Sequence, residues 1–179
     1  MIRRAAVALL ALPLALAAAA MGAEHASPAS VRDHPAWWTT ARSDYIEHCG
    51  GCHGLSGTSA PAKVPVLRDR VGYFMCTPEG RDYLVRLPNV AHAPVSDQQE
   101  MADLLNYVVF GLGGDSAPAG AVPFDREEVG KLRQNPLSDA SLVQKRARLV
   151  AAMIRTCKGV PDSLKYFYPG AAAKAPTVQ

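Results

Sequence analysis

The chain has 179 residues, of which 49% are hydrophobic and 20% charged, so it can pack one ordinary domain with a small appendage, and wholesale disorder is excluded. Its formal net charge is +3. Of the 19 Lys and Arg, two (Arg3 and Arg4) open the chain, which leaves 17 against 16 Asp and Glu. That near-neutral balance lacks the basic excess that nucleic acid would require, but it allows a local charged docking patch.

Arg3 and Arg4 precede an apolar run from Val7 to Ala20, broken by Pro13, with small residues at Ala20, Gly22 and Ala23. This is the pattern of a secretory leader over residues 1–23, cut after Ala23. An uncleaved anchor is the rival reading, but the run is short and Ala-rich for a stable span. The expected location is therefore the periplasm, with no stable membrane span after cleavage. Residues 24–40, with Pro28, Pro35 and the pair Trp37–Trp38, read as a linker. Residues 41–52 read as a short helix with Tyr45 and Ile46 on its apolar face.

Residues 54–70 are punctuated by Gly54, Gly57, Pro61 and Pro65 and read as loop. A helix follows from Thr77 to Leu87, with Thr77 as cap, Pro78 at its first position and Pro88 as its end. Ser96 is the expected cap of the best helix, with Gln99 at capping-box spacing. Met101, Leu104, Leu105, Val108 and Val109 form its stripe, and Gly111, Gly113 and Gly114 stop it. Residues 113–124 read as a second linker. Asp125 is expected to cap another helix, and Ser138 or Asp139 a longer one. The latter carries Val143, Ala147, Val150, Ile154 and Cys157 at helical spacing, giving an extension over 125–158. Residues 159–179 read as a mobile tail. The fold class is all-α.

The decisive stretch is Cys49-Gly50-Gly51-Cys52-His53. Two thiols separated by two residues can add to the two vinyl groups of haem, and the adjacent histidine is placed to bind the iron. A thioredoxin-like pair would instead follow a strand and open a helix. A structural zinc site needs four ligands in paired spacings, whereas Cys76 and Cys157 stand apart. The expectation is one covalent haem c, held by Cys49 and Cys52, with His53 as axial ligand.

At these residues the chain resembles the class I cytochrome c family. In that family a small residue and an aromatic precede the cysteines on a helix; Ala41 and Tyr45 match them. They pack on a Leu and an aromatic of the last core helix, matched by Leu104 and Tyr107. A proline twelve residues after the histidine, matched by Pro65, accepts the imidazole N–H through its carbonyl and so fixes the tautomer. The resemblance covers about residues 40–112 and implies a small helical haem domain at 41–112. It does not reach 113–179.

The chain departs from the family at the second iron ligand. The matching stretch, Pro88-Asn89-Val90-Ala91-His92-Ala93-Pro94, has no Met. His92 is the expected second axial ligand there, with Met101 as the alternative, although the helical stripe already accounts for Met101. A vacant sixth position stays open as a third reading. The remaining cysteines, Cys76 and Cys157, are expected to pair in an oxidising compartment, or else to serve as small buried hydrophobes.

The expected function is electron transfer by a periplasmic mono-haem c-type cytochrome. It is an electron carrier rather than an enzyme, though it can serve as the cytochrome subunit of an oxidoreductase. Its partner is expected to be a periplasmic dehydrogenase, oxidase or reductase, by family analogy. The alternative is a haem protein with an open sixth site that binds a gas or peroxide. An assembly factor holding haem or copper through Cys49 and Cys52 is a third class, disfavoured by His53 and Pro65.

Overall fold

The computed structural model describes residues 36–59 and 63–167. The expected leader, most of the first linker and the end of the tail lie outside the described residues. The chain is all-α, with no strand among the described residues.

Helix α1 (Trp38–His48) starts inside the expected linker and buries Trp38, Ala41 and Tyr45. These positions, three and four apart, form one helical stripe. The single turn α2 (Gly50–His53) carries the cysteine motif. A 3-10 segment (Val71–Cys76) leads to α3 (Pro78–Arg86), whose cap is Thr77: its hydroxyl accepts from the Gly80 amide at 3.0 Å. Pro88 does more than end α3. Leu87 is extended, as a residue before proline must be, and Pro88 opens a further turn, α4 (Pro88–Ala91).

Helix α5 (Gln98–Asn106) is capped by Asp97 rather than Ser96. Asp97 Oδ1 accepts from the amides of Gln99 (2.7 Å) and Glu100 (3.1 Å). One carboxylate thus satisfies two orphan donors at the positive end of the helix. The helix does not stop at Gly111 but continues as a π-helical segment, Tyr107–Leu112. Asp125 caps α6 (Arg126–Arg133) through the Glu128 amide, as expected. Helix α7 (Leu142–Thr156) is capped by Ser141, not by Ser138 or Asp139. The Asp139 carboxylate is instead engaged with Lys145 and Arg148.

Helix α1 crosses α5 and its π-helical continuation. Tyr45 and Tyr107 meet there with ring centroids 5.7 Å apart, and Trp38 meets Tyr107 edge-on at 5.3 Å. Trp38 therefore packs on the core, and Ala41, Tyr45, Leu104 and Tyr107 are all buried. Such aromatic pairs contribute about 0.5–1.5 kcal/mol each beyond the area they bury.

The segment expected as a linker over 113–124 is part of this body. Gly72 packs so closely on Ala117 that a Cβ there would overlap its backbone. Asn106 makes two hydrogen bonds to the Phe124 backbone, donating to its carbonyl (2.9 Å) and accepting from its amide (2.7 Å). The start of the expected tail is ordered too: a 3-10 turn (Asp162–Lys165) buries Leu164. Cys76 and Cys157 are joined by a disulfide, with Cα atoms 6.2 Å apart. Among the described residues no helix is long and apolar enough to cross a membrane.

Candidate functional site

An apolar cavity of about 350 Å³ opens beside α2. Cys49 and His53 form one side of it. Val64, Pro65 and Leu67, from the loop after the motif, form a second. Helix α5 contributes Met101, Leu104 and Leu105, and α3 contributes Tyr83 and Leu84. The C-terminal segment closes it with Leu142, Arg146, Leu164 and Phe167. The site is thus built from residues more than a hundred positions apart.

His53 Nδ1 lies 3.1 Å from the Pro65 carbonyl oxygen. A carbonyl only accepts, so Nδ1 carries the proton and Nε2 keeps its lone pair. Burial, partly offset by this hydrogen bond, holds the His53 pKa below its ordinary value. The imidazole is therefore neutral near pH 7, the form that binds a metal. Ser59 adds a second donor to the same carbonyl, Oγ to O at 2.8 Å, and its amide donates to the His53 carbonyl at 2.7 Å. Ser59 carried no recognisable signal in the sequence, because its role depends on where the loop folds back.

Cys49 is half-buried and Cys52 exposed, and both are free thiols. Burial, then the neighbouring Cys52, pushes the Cys49 thiol up to about 11. Cys49 is thus protonated at neutral pH, unlike the acidic thiol of a disulfide-exchange pair. Cys76 and Cys157, being bridged, are unavailable as ligands in a four-cysteine metal site. Tyr45 fixes the end of the motif by donating to the Gly54 carbonyl at 2.6 Å.

The structure does not bring His92 to the cavity. It is exposed at the end of α4 and absent from the cavity wall. Arg133 explains this. Its guanidinium donates to the carbonyls of Ala91 (3.1 Å), Ala93 (2.8 Å) and Val95 (2.8 Å), which pins the backbone on both sides of His92. Met101 does line the cavity and is 1% exposed. Among the described residues it is the sole methionine in the wall; Met75 and Met153 lie elsewhere. His48, next to Cys49 in the chain, is half-buried and lines the cavity.

The chain is 27% identical over 119 residues to cytochrome c-552 of Thermus thermophilus, covering 56% of this chain and 90% of that protein. It is likewise 27% identical over 119 residues to cytochrome c-552 of Thermus thermophilus strain ATCC 27634, covering 56% of this chain and 80% of the relative. No protein-family model matches the chain. No solved structure matches it. The chain is therefore distantly similar to c-type cytochromes over little more than half its length.

Proposed function

We propose that this protein is an exported mono-haem c-type cytochrome that transfers electrons. The observation that carries the reading is the pairing of His53 with the Pro65 carbonyl inside an apolar cavity that also holds Cys49. The distant similarity to two cytochromes c-552 supports it. The residues fit the cofactor: paired thiols for the vinyl edge, a neutral imidazole for the iron, and apolar walls for the porphyrin.

When bound, haem iron supplies the one-electron couple. Cys49 and Cys52 hold the group covalently, and Cys52, being exposed, keeps that edge near solvent and within reach of a partner. His53 binds the iron, and Pro65 and Ser59 orient its ring. Leu104, Leu105 and Leu84 exclude water, which lowers the local dielectric. Met101, buried in the wall that His92 does not reach, would supply the second protein ligand to the iron. A thioether ligand raises the potential relative to histidine. The partner is a periplasmic dehydrogenase, oxidase or reductase.

Acid–acetone extraction tests the attachment in protein matured by a host with haem-attachment machinery. Colour should stay with the protein; colour moving into the solvent would end the cytochrome reading. The reduced protein should be low-spin and should not bind carbon monoxide. A high-spin spectrum with carbon monoxide binding would favour an open site and a ligand-binding function instead.

A further inference from the structure

Two arginines line the cavity, and neither is used above. Arg70, from the loop after Pro65, is 8% exposed, and Arg146, from α7, is 5% exposed. Arg70 Nη2 donates to the carbonyls of Ser163 (2.5 Å) and Tyr166 (2.8 Å). Arg146 Nη2 donates to the Leu164 carbonyl at 3.1 Å. The Arg146 guanidinium also lies over the rings of Phe167 (5.0 Å) and Phe74 (5.7 Å). Carbonyls and rings aim these groups, but they carry no net charge.

No carboxylate pairs with either arginine among the described residues. The buried Arg70 Nε has no hydrogen-bond partner. Burial lowers the pKa of both, and Arg146 falls to about 10, with the charge of Arg70 among the causes. Both guanidinium groups donate to adjacent carbonyls of one 3-10 turn, Ser163 and Leu164, so two like charges are brought together there. Burying like charges together is costly unless an anion offsets them. A planar guanidinium suits a carboxylate, which it can take through two parallel hydrogen bonds.

We infer that Arg70 and Arg146 form a cationic pair in the cavity wall that binds the two carboxylates of the haem. This rests on the haem reading above. Haem carries its carboxylates on the edge opposite its vinyl groups. With the vinyl edge held at Cys49 and Cys52, the carboxylates would lie away from the cysteines, and Arg70 and Arg146 are buried cations of the same cavity wall that could take them. The segment from Leu142 to Phe167, outside the region that resembles a cytochrome, is then part of the haem site. Arg146 comes from it directly, and its carbonyls at 163 and 166 aim Arg70.

Reduced-minus-oxidised infrared spectra test this in holoprotein whose haem is carbon-13-labelled at its carboxyls. In R70Q and R146Q the labelled carboxylate bands should shift and the midpoint potential should fall, because a positive charge beside the iron is lost. R146K, which keeps the charge and is the less disruptive change, should shift the bands but hold a potential close to wild type. R148Q, on the solvent face of the same helix, should change neither. Covalent haem with unchanged carboxylate bands in R70Q, R146Q and R146K would overturn the inference and leave the cytochrome reading standing. Absence of covalent haem in the wild type would overturn both.

Discussion

His53 and Pro65, twelve positions apart, meet at 3.1 Å through Nδ1 and a carbonyl oxygen that Ser59 shares at 2.8 Å. A carbonyl has two lone pairs, so both donors are accommodated. In S59A the oxygen serves His53 alone, the imidazole gains anionic character, and the ferric state is favoured. The midpoint potential should therefore fall, and stability should drop by about 1 kcal/mol for the lost hydrogen bond. A redox titration and a denaturant curve on the same sample check both. An unchanged potential would show that Ser59 does no more than close the loop.

Met101 and His92 predict opposite outcomes. M101A should remove the weak near-infrared sulfur-to-iron band of the ferric protein, generate a high-spin fraction and admit carbon monoxide. H92A should leave all three unchanged, because Arg133 holds that loop with His92 outside the cavity. The reverse pattern would place His92 on the iron.

The bridge between Cys76 and Cys157 spans 81 positions. On chain-entropy grounds, removing it as C76S/C157S should cost about 4 kcal/mol. Intact-mass measurement after alkylation without reductant should find neither thiol reactive. Two alkylated thiols would show that the bridge does not form.

Asn106 and the Phe124 backbone form a buried two-bond clamp. In N106L an amide and a carbonyl lose their partners, each costing about 1–3 kcal/mol. The variant should unfold at clearly lower denaturant, while the spectrum of its haem stays that of wild type. A changed iron spin state would mean that the clamp also shapes the cavity.

Tyr45 titrates late: burial, its largest cause, raises its pKa from 10.0 to about 12. Between those values the unfolded chain has released a proton that the folded chain retains, so stability falls as pH rises through this window. Below pH 10 that contribution is fully present. Y45F should lose about 1 kcal/mol at pH 7, from the missing bond to Gly54. Its stability should then decline less steeply than wild type above pH 10. Parallel alkaline slopes would indicate that Tyr45 does not govern that loss.

The sequence by itself determined what depends on near neighbours. The spacing of Cys49, Cys52 and His53 is covalent information, and Thr77 with Pro78, or Asp125, satisfies helix amides within three positions. The stripe of α5 follows from helical periodicity, so the all-α class was legible, whereas the packing of Tyr45 on Tyr107 was implied by the resemblance to the cytochrome family and the Trp38 end of the α1 stripe was not foreseen. The choice of Asp97 over Ser96, and of Ser141 over Ser138, was not, because neighbouring polar residues compete for the same amides and the backbone decides between them. The tertiary structure alone decided how residues 113–167 sit. Their anchors are long-range: Arg133 on the backbone around His92, Asn106 on Phe124, and Arg70 on the carbonyls of Ser163 and Tyr166. Each joins a side chain to backbone carbonyls, which every residue possesses, so no pattern of residue types announces it. For the same reason the exposure of His92, the burial of Met101 in the cavity wall and the pairing of Arg70 with Arg146 emerge only once the chain is folded.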